Sequence, residues 1–173
     1  KGVVYEHRMF AAQIEMLRST FNIREGEIDM PTFPLFALFS AAMGTSCVIP
    51  DMDPTHPANV DPRKIVEAIE DHKVTYTFGS PALWNRVTLY CLEKNIQFPT
   101  VKRILIAGAP VPPALLERFQ KMLSPDAEVY TPYGATDALP VTCIGSREIV
   151  AETAALTRQG KGICVGRPLS SVD

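Results

Sequence analysis

Residues 128–137 read Glu-Val-Tyr-Thr-Pro-Tyr-Gly-Ala-Thr-Asp. A β-prone apolar run ends here in a turn that carries an aromatic ring, a glycine, a hydroxyl and a carboxylate. Open α/β sheets bind ligands in the crevice at the carboxyl ends of their strands. These four groups suit a nucleotide, because they offer a flat face for a base, a close backbone approach, a phosphate donor and a metal ligand. Taken alone, an ordinary polar turn is the simpler interpretation.

Outward from this stretch, apolar runs typical of strands alternate with segments that have helical spacing. We expect strands at residues 28–33, 47–50, 74–78, 101–107, 127–131, 139–144 and 163–165. We expect helices at residues 7–21, 35–43 and 146–158, and after Asp61, Ser80 and Pro112. Asp61 and Ser80 are each followed by proline, and an N-cap residue before a first-turn proline marks a helix start.

The expected strands are continuous apolar runs and do not alternate between apolar and polar residues. This pattern is typical of a largely parallel sheet covered by helices on both faces. The predicted fold class is therefore α/β, with a doubly wound sheet. Residues 35–43 are apolar nearly all round, which predicts a short buried helix, and residues 47–50 predict a buried strand.

Composition narrows the class of protein. The 173 residues are 46% hydrophobic and 21% charged, as in an ordinary globular domain with one core. The net charge is −2 and no run of Lys or Arg occurs, which argues against a nucleic-acid partner. No apolar segment is long enough to span a bilayer and no signal peptide is visible, so we expect a cytoplasmic protein.

The four cysteines show no CxxC spacing. We expect Cys47, Cys91, Cys143 and Cys164 to be reduced thiols in the core, with a disulfide pair as the alternative.

The turn at residues 133–137, Tyr-Gly-Ala-Thr-Asp, resembles the Tyr-Gly-x-Thr-Glu signature of the adenylate-forming superfamily. This superfamily includes acyl-CoA synthetases, adenylation domains of peptide synthetases and luciferases. Three further pieces match in the family's order: Lys1-Gly2 resembles the end of its phosphate loop, residues 107–110 (Ala-Gly-Ala-Pro) its adenine-binding loop, and residues 166–168 (Gly-Arg-Pro) a downstream motif. The resemblance implies the same doubly wound fold, as part of a large N-terminal domain.

The resemblance also implies a chemistry. The family activates a carboxylic acid with ATP and Mg²⁺ to an acyl-adenylate and pyrophosphate, and then passes the acyl group to a nucleophile, commonly the thiol of coenzyme A. By resemblance, Thr136 bonds the α-phosphate and Asp137 holds Mg²⁺, and these two are the implied catalytic residues. Adenine would lie between the Tyr133 ring and the loop at residues 108–110. The implied nucleotide-binding residues are Lys1, Gly108, Ala109, Pro110, Tyr133, Gly134, Ala135 and Thr136.

The sequence departs from the family pattern at three positions. Asp137 stands where Glu is usual and is one methylene shorter, and Thr131 stands where many relatives have Asn. Ala37 stands where many acyl-CoA synthetases have His, which widens or dries that part of the acyl pocket. The implied acyl-pocket residues are Phe36, Ala37, Gly79 and Ser80.

Residues 31–39, 79–83, 107–113 and 133–140 are similar to the OleC-type branch of the superfamily, the β-lactone synthetases of bacterial olefin biosynthesis. In that branch the β-hydroxyl of the substrate attacks the adenylate and coenzyme A is not needed. The residues themselves do not distinguish lactone formation from thioester formation with coenzyme A. We expect activation of a fatty, β-hydroxylated or plain, carboxylic acid and thioester formation with coenzyme A. Lactone formation and a non-catalytic binding module with a decayed metal site are the alternatives.

The family also has a phosphate loop upstream, an Asp motif for ribose downstream, and a C-terminal domain with an adenylating Lys. The sequence contains none of these. Residues 1–173 are therefore expected to be part of the N-terminal domain. Its expected partners are ATP, a fatty acid and the missing remainder of the same enzyme, without which the fragment is expected to be inactive.

Overall fold

A computed structural model describes residues 2–135 and 138–170, which form two sheets and the helices that cover them. The strands of the large sheet are β1 Ile28–Pro31, β2 Ser46–Cys47, β3 Tyr76–Gly79, β4 Arg103–Ile106 and β5 Glu128–Tyr130. All pair in parallel, in the order β2-β1-β3-β4-β5. The strands of the small antiparallel sheet are β6 Tyr133–Ala135, β7 Ala138–Cys143 and β8 Arg167–Pro168, with β7 in the middle.

The α-helices are α1 His7–Phe21, α2 Ala37–Ala42, α3 Pro62–His72, α4 Pro81–Lys94, α5 Pro113–Phe119, α6 Ser146–Glu148 and α7 Ala154–Arg158. Short 3₁₀ turns lie at Pro34–Phe36 and Pro57–Asn59, and a π-helical segment, Ile149–Thr153, joins α6 to α7. Both predicted caps are confirmed, because Asp61 accepts from the backbone N–H of Arg63 and Ser80 from that of Leu83. Each satisfies an N–H that the first turn leaves unpaired.

The large sheet is covered on both faces, which confirms the predicted fold class. Successive strand residues point to opposite faces, so Ile104 and Ile106 enter the core beneath α3, α4 and α5, whereas Leu105 enters a second core with Phe21 and Met43. The first core is closely packed, and its largest side chain, Trp84, lies edge-on to Phe119 at 5.5 Å between ring centroids. The second core, on the side of α1 and α2, leaves a cavity.

Two burial predictions are wrong. Residues 35–43 do form a 3₁₀ turn and α2, but Ser40 is the buried residue of that helix, and Leu35 and Leu38 are 61% and 57% exposed. The expected buried strand at residues 47–50 is the two-residue edge strand β2, and Cys47 is exposed. The reason is that β2 pairs with β1 alone, at the outer edge of the sheet.

Two further expectations change with the structure. Residues 163–165 are not a strand, because the strand that pairs with β7 is β8, at Arg167–Pro168. The four thiols are free, as expected, but only Cys91 is buried in the core; Cys143 is half-buried, and Cys47 and Cys164 are exposed. None of the helices in the described part of the chain combines the length and the apolar character needed to cross a lipid bilayer.

Gly79 ends β3 at a point where the backbone passes close to the indole ring of Trp84. A Cβ at this position would lie 2.5 Å from Nε1 of Trp84 and 3.0 Å from Oγ1 of Thr32. We therefore expect Gly79→Ala to lower the free energy of unfolding by about 1–3 kcal/mol, the usual cost of overpacking. Thermal unfolding of the full-length protein measures it, with Gly2→Ala as control, because a Cβ on Gly2 has no atom within 4 Å. Equal midpoints for the two variants would contradict this expectation.

Candidate functional site

One large cavity, about 1250 Å³, lies on the α1 and α2 side of the parallel sheet. Its wall is mostly apolar, and α1, the Pro34–Phe36 turn, α2, the loop after β4 and strand β6 all contribute to it. The carboxyl ends of β3, β4 and β5 open toward it. This is where open parallel sheets bind ligands.

The cavity brings together those of the predicted nucleotide-binding residues that the structure describes. Gly108, Ala109 and Pro110 follow β4, and Tyr133-Gly134-Ala135 form β6 after β5, and all six residues line the cavity. The two pieces meet because β4 and β5 are neighbours that run in the same direction. Gly108 has a φ of 90°, and a Cβ there would have no atom within 4 Å, so the loop leaves open space beside it.

Lys1, Thr136 and Asp137 lie outside the described residues. Ala135, which precedes Thr136, lines the cavity, and so does Leu139. Across the described ranges, no three His, Cys, Asp or Glu residues lie close enough together to hold a metal ion.

Of the acyl-pocket residues, Phe36 and Ser80 line the cavity, and Ala37 and Gly79 are not among its lining residues. The space next to Gly79 is taken by the Trp84 indole. Ser80 has its oxygen engaged in capping α4. Two of the four predicted acyl-pocket residues thus line the cavity, and two do not.

Five phenylalanines form one continuous surface of the cavity, which we call the aromatic wall: Phe10, Phe33, Phe36, Phe39 and Phe78. Phe36 is central, with ring centroids 4.3 Å from Phe78, 5.8 Å from Phe39 and 5.7 Å from Phe33. Phe39 in turn lies 4.7 Å from Phe10. Such tilted aromatic contacts give a stiff apolar surface that suits a hydrocarbon chain.

Sequence reasoning missed Gln13, which is 7% exposed and lines the cavity. Its Nε2 donates hydrogen bonds to the hydroxyl of Tyr5 at 2.7 Å and to the carbonyl of Leu139 at 3.0 Å. A signal was present, because position 13 lies on the same face of α1 as Phe10 and Leu17. A glutamine on that apolar stripe is the anomaly that marks the site.

Sequence reasoning also missed Asp29, a carboxylate in the middle of β1 that is 4% exposed and lines the cavity. Ser40 donates a hydrogen bond to its Oδ2 at 2.5 Å, and Oδ1 has no hydrogen-bond partner in the described part of the chain. Burial raises the pKa of Asp29 to about 7, although hydrogen bonds from Ser40, the Met30 backbone and Tyr76 oppose the shift. The Tyr76 hydroxyl lies 2.9 Å from Oγ1 of Thr45, and burial raises the pKa of Tyr76.

The family model described as "AMP-binding enzyme" matches residues 1–173. Olefin beta-lactone synthetases of Stenotrophomonas maltophilia and Xanthomonas campestris pv. campestris are each 48% identical to the chain, over 166 and 167 residues. Both matches cover 96% of this chain and 29% of the relative. A long-chain-fatty-acid–CoA ligase of Thermus thermophilus is 27% identical, over 82% of this chain and 26% of its own length. The chain thus spans less than a third of these relatives.

Solved structures share the fold. The N-terminal domain of FACL13 from Mycobacterium tuberculosis superposes with a TM-score of 0.74 at 21% identity, covering 98% of this chain and 41% of that chain. The nonribosomal peptide synthetase FmoA3 superposes with a TM-score of 0.81 at 20% identity, covering 98% of this chain and 18% of that chain. At these identities the similarity shows the fold alone.

The buried Asp29 generates a prediction about pH. Its folded-state pKa of about 7 is above the ordinary value of 3.8, so the folded protein holds a proton that the unfolded chain releases. Stability is therefore lost as the pH rises from about 4 to about 7, and little more is lost above that. Asp29→Asn does not titrate and keeps an acceptor for Ser40. The free energy of unfolding of the variant, relative to that of wild type, should therefore increase by roughly 2–3 kcal/mol as the pH rises from about 5 to about 8.

Thermal unfolding of the full-length protein and its Asp29→Asn variant at the two pH values measures this gain. Asp126→Asn is the matched control, because Asp126 is an exposed aspartate of the same chain. A gain that is no larger for Asp29→Asn than for the control would show that the folded state does not retain the Asp29 proton.

Proposed function

This chain belongs to the family of AMP-binding enzymes, and we propose that it is part of an enzyme that activates a fatty acid with ATP as an acyl-adenylate. One observation carries the proposal. A single cavity joins the two nucleotide-binding pieces, residues 108–110 and 133–135, to the aromatic wall. A nucleotide and an apolar chain bound in that cavity would have their reacting ends close together.

In the nucleotide part, adenine would lie between the Tyr133 ring and the Gly108 loop. The Thr136 hydroxyl would donate to the α-phosphate, and Lys1 would belong to the phosphate loop. Asp137 offers the hard oxygen ligand that Mg²⁺ prefers, with water and phosphate oxygens completing the set. The ion would supply positive charge that offsets the phosphate negative charge.

In the acyl part, the cavity offers room for a hydrocarbon chain beside the nucleotide. The volume of the whole cavity is about 1250 Å³, above the range of roughly 300–1,000 Å³ typical of drug-sized ligands. The five phenylalanines of the aromatic wall offer no hydrogen bond, so they favour a hydrocarbon chain over a polar side chain. The acid would enter with its carboxylate toward Gly134 and its chain along the wall.

The group that accepts the acyl group from the adenylate is either the β-hydroxyl of the same acid or the thiol of coenzyme A. Relatives named olefin beta-lactone synthetases are 48% identical to this chain, whereas the relative named a CoA ligase is 27% identical. This difference favours lactone formation over the thioester that we first expected from the sequence. The acid's carboxylate oxygen would attack the α-phosphorus and release pyrophosphate. The β-hydroxyl oxygen would then attack the acyl carbon, AMP would leave, the hydroxyl proton would be lost and a four-membered ring would close.

We expect the full-length enzyme to release pyrophosphate from ATP with medium- to long-chain aliphatic acids, because the cavity is long and apolar. With a β-hydroxy acid, a lactone should form without coenzyme A. A pyrophosphate assay over graded chain lengths, with product identification by mass spectrometry, tests both points. The same acid without its hydroxyl is the control.

A preference for amino acids or short polar acids would refute the fatty-acyl assignment, and a product that requires coenzyme A would identify a ligase. No pyrophosphate with any acid would indicate a binding module.

Asp137→Ala should slow adenylation more than it weakens ATP binding, because the metal charge acts mainly as pyrophosphate leaves. Loss of one such group typically costs on the order of 10²–10³ in rate, or roughly 3–4 kcal/mol. Asp137→Glu should be tolerated, because it restores the side-chain length usual in the family. Pre-steady-state pyrophosphate release at several Mg²⁺ concentrations measures both, with Asp126→Ala as control. A neutral Asp137→Ala at saturating ATP would mean that the metal is held elsewhere.

A further inference from the structure

Gln13 is a buried amide on the apolar side of α1. It lies between Phe10 and Leu17 on the helix face that lines the cavity, and it is 7% exposed. A buried amide costs free energy unless each of its polar atoms finds a hydrogen-bond partner. Gln13 satisfies only half of this requirement, because its Oε1 is buried and has no partner among residues 2–135 and 138–170.

The orientation of the Gln13 amide follows from its neighbours. The Leu139 carbonyl oxygen can only accept, so the atom that faces it at 3.0 Å must be the nitrogen, Nε2. The same nitrogen lies 2.7 Å from the Tyr5 hydroxyl, which accepts its second N–H. Both donors are therefore used, and the amide cannot flip without placing Oε1 against a carbonyl oxygen. The remaining group is an acceptor held in a fixed position.

Gln13 lines the cavity near its nucleotide end. Leu139, which anchors Gln13, packs on Gly134 so closely that a Cβ on Gly134 would lie 2.9 Å from Cδ2 of Leu139. Asp29 Oδ1 is the other buried side-chain acceptor of the cavity wall that lacks a partner in the described part of the chain. It belongs to β1, two strands and therefore roughly 10 Å from β4. Of these two acceptors, Gln13 Oε1 is the one whose side chain is anchored to Leu139, which packs on Gly134 where the acid would meet the nucleotide.

We propose that Gln13 is a specificity residue whose Oε1 accepts a hydrogen bond from a hydroxyl next to the carboxyl end of the acid, the β-hydroxyl. The proposal rests on the function proposed above and names the group by which the same site selects its substrate. A hydroxyl supplies the missing donor, whereas a plain fatty acid buries Oε1 against carbon. Sites that hydrogen-bond a substrate hydroxyl reject the analogue without it, because the polar group of the protein is then left unpaired.

The amide oxygen orients the hydroxyl and does not remove its proton, because a neutral amide is not a base at ordinary pH. Gln13 is therefore a binding residue. Its loss should change the preference between acids and leave the shape of the pH–rate profile unchanged.

The test uses the full-length enzyme and one pair of long-chain acids that differ only in the β-hydroxyl. The measured quantity is kcat/KM for pyrophosphate release. Wild type should prefer the hydroxylated acid by roughly tenfold, the equivalent of one buried hydrogen bond. Gln13→Met, which keeps the length of the side chain but lacks the acceptor, should abolish that preference by slowing the hydroxylated acid alone.

Tyr5→Phe is the matched control, because it removes one partner of Nε2 and keeps Oε1 and the bond to Leu139. It should retain the preference. If Gln13→Met does not fold, Gln13→Asn replaces it. Its side chain is one methylene shorter, so its amide oxygen lies farther from the hydroxyl, and it should also lose the preference for the hydroxylated acid. Equal losses with both acids, or no preference in wild type, would overturn the role of Gln13. No pyrophosphate with either acid would overturn the proposed function itself.

Discussion

The parallel pairing of β4 with β5 is the constraint on which the candidate site depends. Ile104 lies opposite Val129 and Leu105 opposite Tyr130, so the chain leaves both strands at the same edge of the sheet. The Gly108 loop and the Tyr133 strand, which are 25 positions apart in the printed sequence, therefore meet at one cavity. The β4 strand is held at its other end by a buried ion pair between Arg103 and Glu27, at the start of β1.

The two faces of the sheet differ in how closely they are packed. The face under α3, α4 and α5 carries a core of fully buried side chains, among them Trp84 and Phe119. The opposite face is covered by α1 and α2 but keeps an open cavity. In the described part of the chain, buried side-chain atoms without hydrogen-bond partners occur on both faces: Gln13 Oε1 and Asp29 Oδ1 on the cavity side, and Trp84 Nε1 in the closely packed core. Such atoms lower stability, and the two on the cavity side are acceptors.

The two ends of the cavity have different chemistry. Residues 108–110 and 133–135 form the end that carries the motifs resembling the adenylate-forming family, and Gln13 lies beside this end through its hydrogen bond to Leu139. The aromatic wall forms an apolar part of the lining, where the proposed acyl chain would lie.

The sequence by itself determined the elements whose signals are local. The apolar spacing predicted α1 at His7–Phe21, the Asp61 and Ser80 caps predicted two helix starts, and the continuous apolar strands predicted a parallel sheet. Short motifs such as Tyr-Gly-Ala-Thr-Asp sufficed to predict the family. These signals are local because capping and periodicity depend on residues within a turn or two of each other.

Only the tertiary structure decided which side chains face the core, the cavity or solvent. Cys47 is exposed because its strand is the edge of the sheet, and Leu38 is exposed although its segment is apolar. Gln13 Nε2 donates a hydrogen bond to the carbonyl of Leu139, 126 residues away in sequence, and this bond fixes the orientation of the amide. Burial and hydrogen-bond satisfaction depend on what the rest of the chain places beside a residue, and no local pattern contains that information.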